Sequence, residues 1–323
     1  MLKKILILLV ALVVAITAGG ATYFYVAFPK MRPAPQMAAP TTPEAIERGK
    51  YLAEAITGCV ACHSPIDESR PGDFPQPGLE YAGRVFPAGS GFPGKIVAPN
   101  LTPDRETGIG QWTDGEIVRA IREGVSRDGR PLFPLMNYPN YRDLSDEDAL
   151  SIVAYLRTRK AVTRANGKTE LDFPVGTMIR MVPKPLEGPP PGIPASGVER
   201  GHALVRIMMC GECHTPRDDR GNPIAGKELA GGNEFRGAWG TVYAANITSH
   251  PSSGIGAYSN DDLKRVLREG KNRAGRELWV MPWSITRNLT DADLDALIAA
   301  LREVPASPNL VPAAQVSAPS VSR

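Results

Sequence analysis

Cys59-Val60-Ala61-Cys62-His63 recurs as Cys210-Gly211-Glu212-Cys213-His214. Two cysteines separated by two residues, with a histidine directly after the second, form the attachment signature of c-type haem. At a helix start that spacing brings both thiols to the two vinyl groups of one porphyrin while the imidazole swings beneath the iron. The sequence therefore predicts two covalent haem c groups, one on Cys59, Cys62 and His63 and one on Cys210, Cys213 and His214.

A zinc site and a redox dithiol are the rival readings of a Cys-x-x-Cys pair. A four-sulfur zinc site built from both pairs would leave the two trailing histidines without a purpose. All four cysteines of the chain lie inside the two motifs, so none remains for a structural disulfide or a separate catalytic thiol. Because c-type haem is attached outside the bacterial cytoplasm, the motif also predicts export.

The N-terminus agrees with export. Lys3 and Lys4 are followed by a nearly unbroken apolar run from Ile5 to Phe28, with Tyr23, Phe24 and Tyr25 near its end. Twenty-four helical residues reach about 36 Å, enough to cross a hydrocarbon core of about 30 Å. The length of the run, with only a weak small-residue cluster between Thr17 and Ala21, favours a retained membrane anchor over residues 1–30 rather than a cleaved signal peptide. The positive-inside tendency puts the lysines in the cytoplasm and everything after Lys30 in the periplasm, at a bacterial inner membrane. A net charge of +3, with Lys and Arg dispersed along the 323 residues, gives no sign of nucleic-acid binding.

Outward from the motifs the chain repeats itself. Asn100-Leu101-Thr102, Gly108-Ile109-Gly110 and Arg122-Glu123-Gly124 return as Asn246-Ile247-Thr248, Gly254-Ile255-Gly256 and Arg268-Glu269-Gly270. Two related, mainly α domains are expected, at 42–160 and 198–304. Each opens with a helix leading to its cysteines; the first starts at Thr42 or Thr41 with Pro43 at an early helical position, and Gly49 or Gly201 permits a close crossing by the last helix. Each carries a capped amphipathic helix, opened by Thr113 with Glu116 or by Ser259 with Asp262, and ends with a helix from Asp146 or Asp291. Residues 64–100 are Gly- and Pro-rich and read as irregular loop. Residues 161–197, dense in proline, read as a stiff linker holding the domains at a restricted separation, with Leu171-Asp172-Phe173-Pro174 apolar enough to dock on the first domain. Residues 305–323 read as a disordered tail.

One methionine per copy, Met136 and Met281, stands eight residues before the last helix signal, in a loop with Pro and aromatic residues. A thioether suits haem iron, and His/Met ligation raises the reduction potential, so these are the expected partners of His63 and His214. Pro65 and Pro216 are expected to place a carbonyl on each imidazole Nδ1. Asn100 and Asn246 are candidates for haem propionate contact, with a turn role as the alternative. Trp112, Trp239, Trp279 and Trp283 are expected to pack around the cofactors.

With these motifs in place, residues 44–304 resemble a class I c-type cytochrome of two tandem fused domains. More narrowly they are similar to the multihaem cytochrome c subunits of membrane-bound alcohol, aldehyde and gluconate dehydrogenases. The most specific pieces are Cys210-Gly211-Glu212-Cys213-His214-Thr215-Pro216-Arg217, Asn100-Leu101-Thr102-Pro103-Asp104 with Thr107-Gly108-Ile109-Gly110, and the Leu-Ser/Thr-Asp before each last helix. The resemblance implies thioether links at the four cysteines, proximal ligation by His63 and His214, and distal ligation by Met136 and Met281. It also implies electron transfer rather than substrate turnover. A periplasmic dehydrogenase is the expected donor, and the quinone pool, a soluble cytochrome or a terminal oxidase the acceptor.

Closed His/Met sites leave outer-sphere electron transfer as the chemistry. A di-haem peroxidase, the alternative, needs one iron open to peroxide, and a haem-based gas sensor needs a ligand that leaves. Only His202 and His250 remain as other imidazoles, one in the helix before its own motif and one in a loop, where solvated or structural roles are expected.

Overall fold

The computed structural model describes residues 1–219, 221–237 and 239–316. It opens with α1, Leu2–Ala27, a helix with a mean hydropathy of 2.6 that is long and apolar enough to cross a membrane and has none of its apolar window covered by protein. An extended tether, residues 28–42, then returns along the first folded unit: the Arg32 guanidinium pairs with buried Glu123, and the Ala39 amide donates to Asp114.

The first unit is built from α2 (Pro43–Tyr51), a single π-turn at Leu52–Ile56, α3 (Cys59–Cys62), β1 (Arg84–Phe86), β2 (Gly94–Ala98), α4 (Asp114–Glu123), α5 (Tyr138–Tyr141), α6 (Asp146–Arg157) and β3 (Glu170–Leu171). A short segment with α7 (Val175–Met178) leads to the second unit. That unit comprises α8 (Gly197–Ile207), α9 (Cys210–His214), β4 (Glu234–Gly237), β5 (Gly240–Tyr243), α10 (Asn260–Glu269), α11 (Trp283–Thr286), α12 (Asp291–Glu303) and β6 (Gln315–Val316). The order of elements is the same in both.

Helix boundaries follow local chemistry. Thr42 accepts from the Ala45 amide with Pro43 at the first helical position, and Thr113 and Ser259 open full capping boxes on α4 and α10. The first and last helices of each unit cross at glycine. A Cβ on Gly49 would lie 1.8 Å from the Ser151 carbonyl oxygen, and one on Gly201 would lie 1.9 Å from that of Ala296. Beside each crossing an arginine of the first helix, Arg48 or Arg200, pairs with a buried aspartate of the last, Asp148 or Asp293.

Three expectations are corrected. Residues 64–100 are not wholly irregular, because β1 and β2 form an antiparallel hairpin with Arg84 opposite Ala98 and Phe86 opposite Ile96. Strands of three to five residues among glycines are too short to show alternation. Residues 161–171 are not linker: β3 adds a third strand to β2, and the Val162 carbonyl accepts from Asn100. Residues 305–316 are likewise not a disordered tail. They run back over the second unit, where Ser307 and Asn309 bond to Asn246 and β6 pairs with β5. The remaining tail, 317–323, lies outside the described residues.

The two units share one buried cluster that includes Leu52, Ile56 and Ile152 with Leu204, Ile285 and Leu297. The contacts are reciprocal. α5, after Met136, rests on α8, while α11, after Met281, rests on the π-turn of the first unit. Arg206 of α8 reaches Asp143, and the matching Asn288 reaches the Glu54 carbonyl, each at 3.4 Å. The Tyr51 hydroxyl donates to Asp293 across the same boundary.

Gly201→Ala tests the crossing. Alanine favours an isolated helix by about 1 kcal/mol over glycine. The new Cβ, however, meets a backbone oxygen that has no rotamer to escape into, and overpacking of this kind costs about 1–3 kcal/mol. The expected net result is a lower midpoint in chemical denaturation of the haem-loaded protein; an unchanged or raised midpoint would show that α8 and α12 part freely.

Candidate functional site

Each Cys-His motif sits on a single helical turn entered through a left-handed residue. Gly58 has φ 59° before Cys59, and Met209 has φ 62° before Cys210. The second position accepts a non-glycine residue where L side chains are ordinarily disfavoured by about 1–2 kcal/mol. The turn redirects the chain so that both sulfurs and the imidazole leave one short helix. The approach is therefore broken, not the continuous helix into Cys59 that the apolar stripe suggests.

His63 is 4% exposed, and its Nδ1 lies 2.8 Å from the Pro99 carbonyl oxygen. His214 Nδ1 lies 2.7 Å from the Ala245 carbonyl. A carbonyl can only accept, so Nδ1 carries the proton in both rings and Nε2 keeps its lone pair. Burial pushes the His63 imidazole down to about 4, against the smaller upward effect of the Pro99 bond, and lowers His214 in the same way. Both rings are neutral at pH 7 and can serve as ligands.

The acceptors differ from those expected. The Pro65 and Pro216 carbonyls instead take the Gln76 and Ile224 amides. Pro99 and Ala245 directly precede the repeated asparagines, which explains the Asn-Leu/Ile-Thr run. Asn100 Oδ1 accepts from the Thr102 amide and hydroxyl at 2.9 and 2.7 Å, while its Nδ2 donates to Val162 at 2.7 Å. Asn246 repeats this with Thr248 and Ser307. With both ends of the amide engaged in protein bonds, the turn role replaces the propionate role.

Met136 ends a 3-10 turn at Pro134–Met136, and both Met136 and Met281 are half-buried against the shared core. In the first unit the methionine loop is tied to the cysteine turn, since the Tyr141 hydroxyl donates to the Thr57 carbonyl at 2.8 Å and Thr57 Oγ1 lies 3.2 Å from Cys59 Sγ. Asn137, immediately after Met136, donates to the Ile207 carbonyl at 2.9 Å, just ahead of the second motif. The loop after the first motif makes the return contact: the Gly72 amide donates to the Trp279 carbonyl, and Ser284 donates to the Asp73 carbonyl. The Phe74 ring meets Trp283 edge to face at 4.9 Å.

The thiols are free, and burial pushes Cys59 up to about 11 and Cys210 up to about 12, with Cys62 and Cys213 raised as well. A redox dithiol needs a lowered thiol, so this environment opposes that reading. Among the described residues no three His, Cys, Asp or Glu side chains converge on a metal-sized site, so the two pairs do not build one zinc centre. Behind burial, the Asp73 carboxylate raises the Cys62 thiol further, and Glu212 and then Asp73 raise Cys213.

These residues fit haem c. Each turn offers two unpaired thiols and an imidazole with a free Nε2, and a half-buried thioether stands in the same unit. Two residues after each methionine, Tyr138 Oη and Trp283 Nε1 are buried polar atoms without a partner, as expected of donors awaiting an acidic group. Trp283 thus fits the expected cofactor packing, and Trp239 stacks on Trp279 at 6.3 Å. The other histidines stand elsewhere: His202 pairs with Glu303 at the surface, and His250 Nδ1 accepts from the Ser253 amide in its own turn. The supporting carbonyls, Tyr141 and Asp73 escaped sequence reasoning; only the repeated asparagine run hinted at the first.

A cytochrome c family model matches residues 46–160. The chain is 36% identical over 273 residues to the fructose dehydrogenase cytochrome subunit of Gluconobacter japonicus, covering 81% of this chain and 53% of that one. It is 31% identical to the cytochrome c subunit of the quinone alcohol dehydrogenase of Gluconobacter oxydans, over 81% of this chain and 55% of that one. The chain thus spans about half the length of these two relatives. It matches a diheme cytochrome c-type protein of Cereibacter sphaeroides at 32% identity, over 84% of this chain and 90% of the relative. The molecule belongs to the cytochrome c family.

Proposed function

We propose that the chain is a membrane-anchored, periplasmic di-haem electron-transfer protein of a bacterial inner membrane. The observation that carries this reading is the duplicated imidazole support, His63 on Pro99 and His214 on Ala245. It equips both units alike to present a neutral Nε2 to iron. Cys59 and Cys62 would anchor one haem c and Cys210 and Cys213 the other, with His63 and Met136, and His214 and Met281, as axial ligands. Bound there, haem c supplies a one-electron Fe(III)/Fe(II) couple.

The residues of the chain hold, orient and shield that couple. The carbonyl bond fixes each imidazole and raises its basicity. Burial excludes water, and the thioethers favour the reduced state. With a histidine and a methionine on each iron, the chemistry left would be outer-sphere electron transfer rather than substrate turnover. The similarity to dehydrogenase cytochrome subunits supports a periplasmic dehydrogenase as electron donor, and the quinone pool, a soluble cytochrome or a terminal oxidase as acceptor. The helix α1 would keep the protein at the membrane.

The ligand set is checked by optical redox titration with carbon monoxide added after reduction. The haem-loaded protein is expected to show two red-end ferric bands, no carbon monoxide shift and no peroxide turnover. Met136→Ala and Met281→Ala should each abolish one band and open one iron to carbon monoxide. Carbon monoxide binding by the unaltered protein would turn the reading towards the peroxidase or the sensor.

Asp73 supplies a second test. The Asp73 charge acts on a thiol of each motif and would stabilise the ferric charge at each haem, so Asp73→Asn should raise both midpoint potentials in a spectroelectrochemical titration. A shift confined to one haem would mean that the acid belongs to that site alone.

A further inference from the structure

Residues 172–196 belong to neither repeat, and they carry the most exposed apolar side chains outside α1 and the described tail. Leu171 docks into the first sheet, but Phe173 is 89% exposed. Beyond it, Met178 and Met181 stand three apart across the 3-10 turn after α7 and so lie on one side, with Val182 directly after them. They are exposed by 54%, 46% and 39%, while Ile179 is buried. Outside α1, Met31, Val85 and Leu310 are also exposed, but each stands alone in its segment, whereas here four bare apolar side chains fall within ten residues.

The place of that segment identifies what covers it. The Arg180 guanidinium, on the same turn, donates to the Tyr25 carbonyl at 3.0 Å and to the Phe28 carbonyl. It also lies 5.1 Å from the centre of the Tyr25 ring. These carbonyls terminate α1 and have no helical partner of their own. Counting from Ile5, behind the paired lysines, a hydrocarbon core of about 30 Å takes up about 20 helical residues and is crossed near Phe24. Tyr23 and Tyr25 then stand at the outer interface, where aromatic side chains gather, and Arg180 stands among the headgroups.

We infer that the face of Phe173, Met178, Met181 and Val182 is a second membrane contact, seated in the outer interface beside the exit of α1. The inference rests on the reading that α1 spans the bilayer. Four uncharged apolar side chains match the acyl boundary, and Arg180 with the exposed Lys184 matches lipid phosphate. A single helix is a swivel, and this contact stops the rotation, so both haem units keep one orientation towards the membrane.

The test uses the full haem-loaded chain in lipid nanodiscs containing a phospholipid with a photoactivatable group near the top of one acyl chain. Adducts are mapped by peptide mass spectrometry. Lipid adducts are expected both on α1 and on the peptide covering residues 173–182. Phe173→Glu combined with Met178→Glu should reduce the second set several-fold while leaving the α1 adducts and the haem spectrum unchanged. Adducts confined to α1 would overturn the inference and leave the anchor standing, as would an unchanged yield in the double variant; a protein partner on this face would also give that first pattern. Adducts on residues 173–182 without any on α1 would sink the anchor reading alone, and adducts on neither would sink both.

Discussion

Each site depends on a backbone carbonyl held against an imidazole Nδ1. Burial keeps the ring neutral, while the carbonyl fixes its tautomer and leaves Nε2 for the iron. Nothing about the carbonyl itself is special, and its position is inherited. Pro99 is placed by Asn100, whose amide bonds to Thr102 on one side and to the Val162 carbonyl on the other. Ala245 depends in the same way on Asn246, Thr248 and Ser307. The extended segment that returns after each last helix is therefore part of the ligand support, although no ligand lies on it.

The interface between the units follows from the same economy of surface. Each unit has an apolar flank beside its methionine loop, and the flanks cover one another in a near two-fold arrangement. Asn137 reaches the end of α8 just before the second motif, and Ser284 reaches Asp73 in the loop after the first. Loosening one methionine loop thus disturbs the approach to the other haem motif. Ile285, 6% exposed, packs against Gly58 at the entry to the first motif. Burying a side chain of that size is worth about 1.5–3 kcal/mol, so a few such contacts hold the two units without any help from the linker.

Much of this was legible in the chain, because it rested on local chemistry. The two Cys-His turns, the capping boxes at Thr113 and Ser259 and the glycine crossings at Gly49 and Gly201 each declare themselves by residue type and spacing. The hidden parts came from distant segments. Strands of three to five residues are stabilised by the partner they find, so β1, β2 and β3 left no periodic trace. Pro65 and Pro216 looked like the imidazole acceptors because they are near in sequence, whereas the acceptors in the fold lie more than thirty residues on. Composition was the weakest guide. It assigned residues 161–171 to the linker because they run into the proline-dense stretch after them, and 305–316 to the tail because proline and alanine dominate there, but a strand edge and a buried asparagine amide recruit backbone groups, which every residue carries.

The repeated hydrogen bond also shows where the two sites are free to differ. His63 is nearly inaccessible, while His214 is half-buried. The first motif is braced through Tyr141 and Thr57, whereas Thr286, in the second methionine loop, donates to the Leu267 carbonyl instead. A drier site disfavours the extra positive charge of ferric iron, and bond partners and burial are the means by which a protein tunes a haem of fixed ligation. Duplication thus preserved the groups that fix each ring and varied those that set its dielectric surroundings. Under the proposed ligation, two haems with the same ligands would on that basis take different potentials, which would give electron flow through the pair a direction.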